Sequence, residues 1–572
     1  MTIPETNTWQ QLPPILLPSP VMALACGPAG LWAGGTGGVA WQPTGGAWQP
    51  RLSGLPLTTV AALTYADGWL LAGGAGGIAR SGDGGLTWQL GQSQSKAQVS
   101  AIVASPRFAQ DGTALAATMG DGILRTTTAG RTWELVNFGL EDFEVMALAW
   151  KTGDAVLAGT ATGLYRSPNG GRAWRAAGGA GEAVAGLAFL PYEVTIVALE
   201  EAGLLRAMAG GSRWEAHGTL PAGTLVTALL ATPAGTLLLG TANHGLLRST
   251  NGGKTWTQVA EVMALALLNV EDSRSLYVGT TSGLLVSGDD GATWQPEPTP
   301  PIHDWRRLLI IEGVPLVAGP YSGLVRYQPA VGWEILEAPS PLLALSPAPA
   351  GSFFAAGSTG LSRSVDAGLS WQLVLSAEVG QIELLTFGAN GLGWAATVIG
   401  NRLWHTPDGG STWEPRETPF GMLRLVALQA TAEMLLAVTY NFQQQVAQPW
   451  RSFDGGQTWA LGNPIKTVWP VVATFAEPPL FSIGHALYVQ QPDGNWQQLT
   501  VGPEGSAVRR IVGNSQMLLA LTTDGLYRSA DQGHNWVRVA DELPVAQVID
   551  IALAEGLLYA LLAGGQVWSR PL

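Results

Sequence analysis

Eight times along this 572-residue chain, a short acidic or amide side chain occupies the same place in a glycine-rich segment. Asp83, Asp289, Asp366, Asp408, Asp454 and Asp531 hold that place, and Asn169 and Asn251 hold it in two further copies. Aspartates can act as general acids, nucleophiles or metal ligands, and two carboxyls facing each other across a glycosidic bond can hydrolyse it. An active site needs one such pair, not eight copies, so recurrence assigns these residues to structure. A local role is available to them. The side-chain oxygen can cap backbone N–H groups across a tight turn, where glycine adopts positive φ at little cost.

The full pattern is Ser-x-Asp-x-Gly-x-Thr-Trp, as at Ser81, Asp83, Gly85, Thr87 and Trp88, and again at Ser287, Asp289, Gly291, Thr293 and Trp294. Ser452–Trp459 and Thr406–Trp413 repeat it, and near-copies follow Ser167, Ser249, Ser364 and Ser529. A second recurrent group stands just before this turn: Arg80, Arg125, Arg166, Arg206, Arg248, Arg326, Arg363, Arg451 and Arg528 share one register. Three arginines converging on one point could bind a carboxylate. These come one per repeat, so they are expected to lay their stems along the repeat edges and meet acidic neighbours. The six histidines are scattered and indicate no metal site, and no cofactor motif is present.

The elements that carry these residues follow from the tryptophans. Glycine-rich turns lead into Trp48, Trp88, Trp133, Trp174, Trp214, Trp256, Trp294, Trp333, Trp371, Trp413, Trp459, Trp496 and Trp536, with an extra copy at Trp9. A spacing of about 40 residues filled with short strands is the mark of an all-β propeller, one four-stranded blade per repeat. One repeat reads Val262–Leu267, Ser275–Thr280, Gly283–Ser287 and a fourth strand opening at Thr293. The last repeat supplies three strands and stops, so Thr8-Trp9-Gln10-Gln11 is expected to complete it and abolish a free sheet edge. That makes fourteen blades, either one large ring or two tandem rings of seven. Proline-rich stretches follow both Trp9 and Trp294, seven repeats apart, and read as crossings between domains. The expected division is residues 13–300 for one seven-bladed propeller and 301–572 for the other, completed by residues 1–12.

The turn motif resembles the Asp-box, or BNR, repeat, and the chain is similar to that propeller superfamily along nearly its whole length. The superfamily includes sialidases, two-propeller xyloglucanases, sortilin-type receptors and photosystem-assembly factors. The resemblance implies that the Asp-box residues lie at the propeller periphery and are not catalytic. It also raises a xyloglucanase-like reading, in which two aspartates cut a glycan in a cleft between propellers. The place where the opening repeat should hold the first acid reads Gly35-Thr36-Gly37-Gly38-Val39-Ala40-Trp41, without one. The repeats are also too compact for long cleft-building loops. No catalytic residue is assigned.

Composition bounds the rest. A net charge of −13 with no basic stripe argues against nucleic acid, and no apolar run reaches the length of a membrane-spanning helix. Cys26 sits in a strand-like string that recurs at 145–149 and 262–266. With no basic residue before Arg51, a cytoplasmic location is the default reading, although cysteine scarcity is equally compatible with export. The expected product is a monomeric, non-catalytic scaffold or binding module for a protein or glycan, presented on a propeller face or cleft. A degenerate glycan hydrolase is the alternative. Candidate binding residues stand where the rhythm breaks: His303, Asp304, Trp305 and Arg306 after the second proline stretch, Tyr321, and the expanded loop at Tyr440, Asn441 and Phe442, although Trp305 and Trp469 read more simply as inter-blade packing. His244 and Trp469 sit at comparable turns.

Overall fold

The computed structural model describes residues 8–572 except 16, 53, 58, 151–152, 180, 192–193, 201–202, 208–212, 271–274, 340, 349–350, 377, 379–380, 389, 398–401, 422, 432, 468–471, 476–479, 484–485, 492–495, 504, 514–515, 540–542 and 544–547, and the side chains of 472–475. Trp469 lies outside the described residues.

Short apolar runs separated by glycine turns can bury themselves only by pairing with neighbours and then stacking face to face. Among the described residues this happens fourteen times, giving fourteen sheets of four or five strands. It divides into two compact units, Leu16–Asp304 and Trp305–Leu572 with Met1–Ile15, and each holds seven of the sheets. Apart from the short strands Gln92–Ser93 and Ile465–Lys466 and the amino-terminal strand described below, the strands of a sheet pair in chain order. In the repeat read above they are Ala264–Val270, Ser275–Thr280, Gly283–Ser287 and Gln295–Glu297.

The middle two strands agree with the sequence reading residue for residue. The first strand is displaced. Its buried starting residue is Ala264, paired with Thr280, whereas Val262 lies ahead of the strand and Met263 is exposed. The likeness of Val262-Met263-Ala264 to Val21-Met22-Ala23 is thus one of letters and not of register. What fixes register is the residue packed against the next sheet: Val21 in the opening sheet, Ala264 in this one.

In all seven sheets of the Leu16–Asp304 unit, the first and second strands pair through one bulge, as between Val21 and Ala23 or Val226 and Ala228. The residue just before each bulge is buried between blades. Two bulge residues also tie neighbouring blades directly. The Ser100 hydroxyl donates to Val145 O at 2.6 Å, and the Thr227 hydroxyl donates to Ala264 O. The core is therefore a series of inter-blade layers. One layer joins Ala23, Trp32 and Val39 to Val60, Leu70 and Trp88, and another closes this ring by packing Val21, Leu31 and Ala33 against Leu284 and Ile302.

The other unit closes differently. Gln10–Gln11 adds to the strand Gln566–Pro571, with Gln10 opposite Ser569 and Gln11 opposite Trp568. The amino-terminal strand is thus the fourth strand of the last sheet, as the unfinished final repeat requires. No helix is long and apolar enough to cross a membrane among the described residues.

Candidate functional site

Antiparallel order fixes which loops share a face. The starts of first strands and the loops joining second to third strands lie on one face of each propeller. The Asp-box turns, joining third to fourth strands, lie on the other.

Each Asp-box is a closed hydrogen-bond device. In the Ser81–Trp88 turn, the Ser81 hydroxyl donates to Asp83 Oδ1 at 2.7 Å and accepts from Gly85 N at 2.8 Å. Asp83 Oδ1 also accepts from Thr87 N at 2.9 Å, and Oδ2 accepts from the Thr87 hydroxyl. The same bonds recur in the turns of Asp289, Asp366, Asp408, Asp454 and Asp531. In Asn169 and Asn251 the amide oxygen replaces the carboxylate. These donors hold the carboxyls of Asp289, Asp408, Asp454 and Asp531 down to about 2 although they are exposed, chiefly through bonds from the residue four positions on. The adjoining indoles fill the inter-blade layers, Trp88 and Trp174 being almost fully buried. A carboxylate already saturated by its own turn is poorly suited to proton transfer.

Several third-strand arginines reach the next blade, while Arg80 and Arg326 bond Gln89 and Glu334 of their own sheets. Arg125 Nε donates to Gly170 O at 3.0 Å, and Arg248 Nε donates to Asp290 O at 2.9 Å. Arg363 Nη1 donates to Ser411 Oγ at 3.1 Å. Acidic partners of the expected kind are present for Arg248, with Asp290 at 3.3 Å, and for Arg326, with Glu334 at 2.8 Å.

The structure separates the residues that break the repeat into two groups. His303, Asp304 and Trp305 are buried. Ile302 O accepts a bond from Gly37 N at 2.7 Å, and the chain passes so close that a Cβ on Gly37 would lie 2.0 Å from His303 O. The acid-free stretch 35–41 is therefore roofed by backbone and needs glycine there. Burial lowers the His303 pKa to about 4, against opposing effects from the Leu17 backbone and Asp304, so the ring is neutral at pH 7. Trp305 occupies in its sheet the inter-blade place that Val21 occupies in the first, since Arg306 N bonds Ala318 O across an equivalent irregularity.

The second group shares one face of the 305–572 propeller. Tyr321, in a second-to-third-strand loop, is 66% exposed, and Phe442, in the corresponding expanded loop, is 55% exposed. The Phe442 ring meets the buried Tyr440 edge-on at 4.8 Å, and Arg424 lies over it at 5.9 Å. Tyr440 donates its hydroxyl to Thr467 O at 2.8 Å, while Asn441 Oδ1 accepts from Gln443 N and Gln444 N. Those two residues fix the loop and leave Phe442 as the presented ring. His244 lies in the other unit, its ring nitrogen 3.4 Å from Ala222 O.

A cavity of about 620 Å³ runs along first strands of this propeller, from Arg306 and Glu383 near this face to Pro347 and Phe387 at the other strand ends. Arg306, Arg307, Arg509, Arg510 and Glu383 line it. Arg307 and Arg510 stand in equivalent positions of two sheets, and the sheet between them places Asp550 at that position. Asp550 is buried; Oδ2 accepts from Leu308 N at 2.9 Å and Oδ1 from Ile551 N at 3.0 Å. Arg510 Nε lies 3.2 Å from Oδ1, at an angle that makes no hydrogen bond. Sequence reading passed over this cluster because it followed the arginines that repeat. The usable signal was the opposite one: Arg-Arg at 306–307 and 509–510, where every first strand of the other unit has a small or apolar pair such as Met22-Ala23 or Met146-Ala147.

No family model and no curated protein matches the chain. Among solved structures, the GH74 xyloglucanase from Xanthomonas campestris aligns with a TM-score of 0.65 at 16% identity, covering 99% of this chain and 100% of that one. A GH74 enzyme of Niastella koreensis aligns with a TM-score of 0.65 at 14% identity, covering 98% and 99%. PorZ, a surface component of the type-IX secretion system of Porphyromonas gingivalis, gives 0.51 at 15% identity over 98% and 87%. At such identities the likeness is one of fold. Together with the closed Asp-box turns, it gives this chain the all-β, two-propeller architecture of the Asp-box type.

Proposed function

We propose that the protein is a non-catalytic binding module that takes a protein or glycan partner on the loop face of its 305–572 propeller. The observation that carries this reading is the pair of exposed rings on one face, Tyr321 and Phe442, the latter supported by the buried Tyr440 and a hydrogen-bonded loop. Rigid exposed aromatics give large contact area at low entropic cost, which suits stacking on a sugar or anchoring a peptide. A hydrolase reading needs two available carboxyls about 5–10 Å apart. Beside the adjoining cavity, the buried Asp550 has both oxygens bonded to backbone, and Glu383 is the one acid among the described lining residues.

The test compares the wild type with Tyr321→Ala/Phe442→Ala on a glycan array and against candidate protein partners by biolayer interferometry. A partner of the wild type is expected to lose about tenfold or more in affinity, matching truncation of interface aromatics. Unchanged affinity of every partner would refute the assignment of this face.

A further inference from the structure

The arginine cluster in the 305–572 cavity has no structural task that accounts for its size. Asp550 does have one. Its carboxylate accepts backbone N–H groups from its own strand and from the neighbouring first strand, so it staples the last sheet to the first at ring closure. One arginine beside it would balance that charge, and Arg510 is already in contact at 3.2 Å. Arg307, Arg306 and Arg509 are additional, and Glu383 is the one carboxylate among the described residues lining the cavity, Asp550 being buried behind it. The local balance is strongly positive in a chain whose net charge is −13.

Concentrating like charge is costly where water is partly excluded. Arg307 shows the cost: the surrounding cavity wall lowers its pKa although the side chain keeps surface open to the cavity, Arg510 and Arg306 lower it further, and Asp550 only partly opposes them. Arg510 Nε is buried without a hydrogen-bond partner. The other propeller forms its ring with no charged residue at the equivalent places, so the fold does not need these arginines. Arg509 is moreover the bulge residue of its strand, and bulges re-aim side chains next to binding sites.

We propose that this cavity is an oxyanion-binding site, in which Arg307 and Arg510 form the inner pair and Arg306 and Arg509 the mouth. The ligand is a small molecule carrying a phosphate or a cluster of carboxylates. Guanidinium forks match such groups through paired charge-assisted hydrogen bonds, and a cavity of about 620 Å³ accommodates a ligand of that size. The site is distinct from the Tyr321–Phe442 rim and does not require a macromolecular partner.

Isothermal titration calorimetry of the full chain at low ionic strength tests it, with inorganic phosphate in one arm and citrate in the other. Saturable binding of either probe is expected, weakening with added salt. Arg307→Gln and Arg510→Gln should each lower affinity about ten- to a hundredfold, the worth of hydrogen bonds to a charged group. Arg528→Gln, which removes an exposed third-strand arginine, should leave it unchanged. Binding of phosphate alone or citrate alone assigns the ligand class. Arg307→Lys keeps the charge and loses the fork, so it should bind more weakly while folding normally by circular dichroism. Absence of binding by both probes, or equal affinity in wild type and both glutamine variants, overturns the proposal. Tyr321→Ala/Phe442→Ala should bind phosphate or citrate as the wild type does, which separates failure here from failure of the rim as a partner surface.

Discussion

Removal of residues 1–12 is the sharpest perturbation of this fold, because so short a segment completes a sheet. It withdraws Gln10–Gln11 from Gln566–Pro571, and with it the bond from Leu12 N to Val567 O at 2.9 Å. It also removes Trp9, which packs against the layer containing Leu519 and Leu558 and lies under the Arg570 guanidinium at 4.9 Å. Roughly three net backbone hydrogen bonds at about 1 kcal/mol each, with about 2 kcal/mol for the half-buried, cation-capped indole, give a loss of about 5 kcal/mol. Whole domains have net stabilities of about 5–15 kcal/mol, so the 305–572 propeller should be brought near its unfolding threshold. The other ring closes through Ile302 and Val21 and loses nothing. Thermal unfolding followed by circular dichroism should show one transition falling steeply while another stays in place. Limited proteolysis should cut first within 305–572, and the bared strand edge should promote association. Trp9→Ala should reproduce about 2 kcal/mol of the effect. A truncated chain with unchanged transitions and an unchanged proteolysis pattern would refute this account of closure.

Other outcomes follow from the turns and layers. The Asp454 carboxyl is held at about 2, below its usual 3.8, by bonds from Thr458, Ser452 and Gln457. A depressed acid stabilises the fold above its unfolded pKa and loses that contribution as pH falls from about 4 to about 2. The stability advantage of wild type over Asp454→Asn should therefore shrink across that window, and a difference independent of pH would sink the reasoning. Trp133 is 1% exposed and donates to Gly130 O at 3.1 Å. Trp133→Ala should cost about 3–5 kcal/mol in urea unfolding, and a loss below about 1 kcal/mol would show that the layer does not depend on the indole.

Much of this protein is legible without coordinates because its dominant interactions are local. An Asp-box satisfies its own donors within seven residues, so its sequence pattern and its geometry are nearly the same statement. Counting tryptophans gives the blades, and the unfinished last repeat names the strand that completes it. Register was less legible: Val262 and Val21 head matching strings, yet the residue packed between blades is Ala264. The burial of His303 and Asp304 was likewise hidden, since it depends on a crossing segment laid over Gly37, whereas the packing of Trp305 between blades was the plainer sequence reading.

By itself, then, the sequence determined the all-β repeat, the count of fourteen, the closure by Gln10–Gln11 and the structural standing of the aspartates. All of these rest on contacts within a repeat or between consecutive repeats. Only the tertiary structure decided that Arg307 and Arg510 flank Asp550 across one cavity. Those residues lie far apart in the chain, and nothing in a linear period says that the first strands of the last and first blades become adjacent walls. Ring closure brings them together, and with them the positive charge that a repeat-by-repeat reading spreads evenly and the folded propeller concentrates.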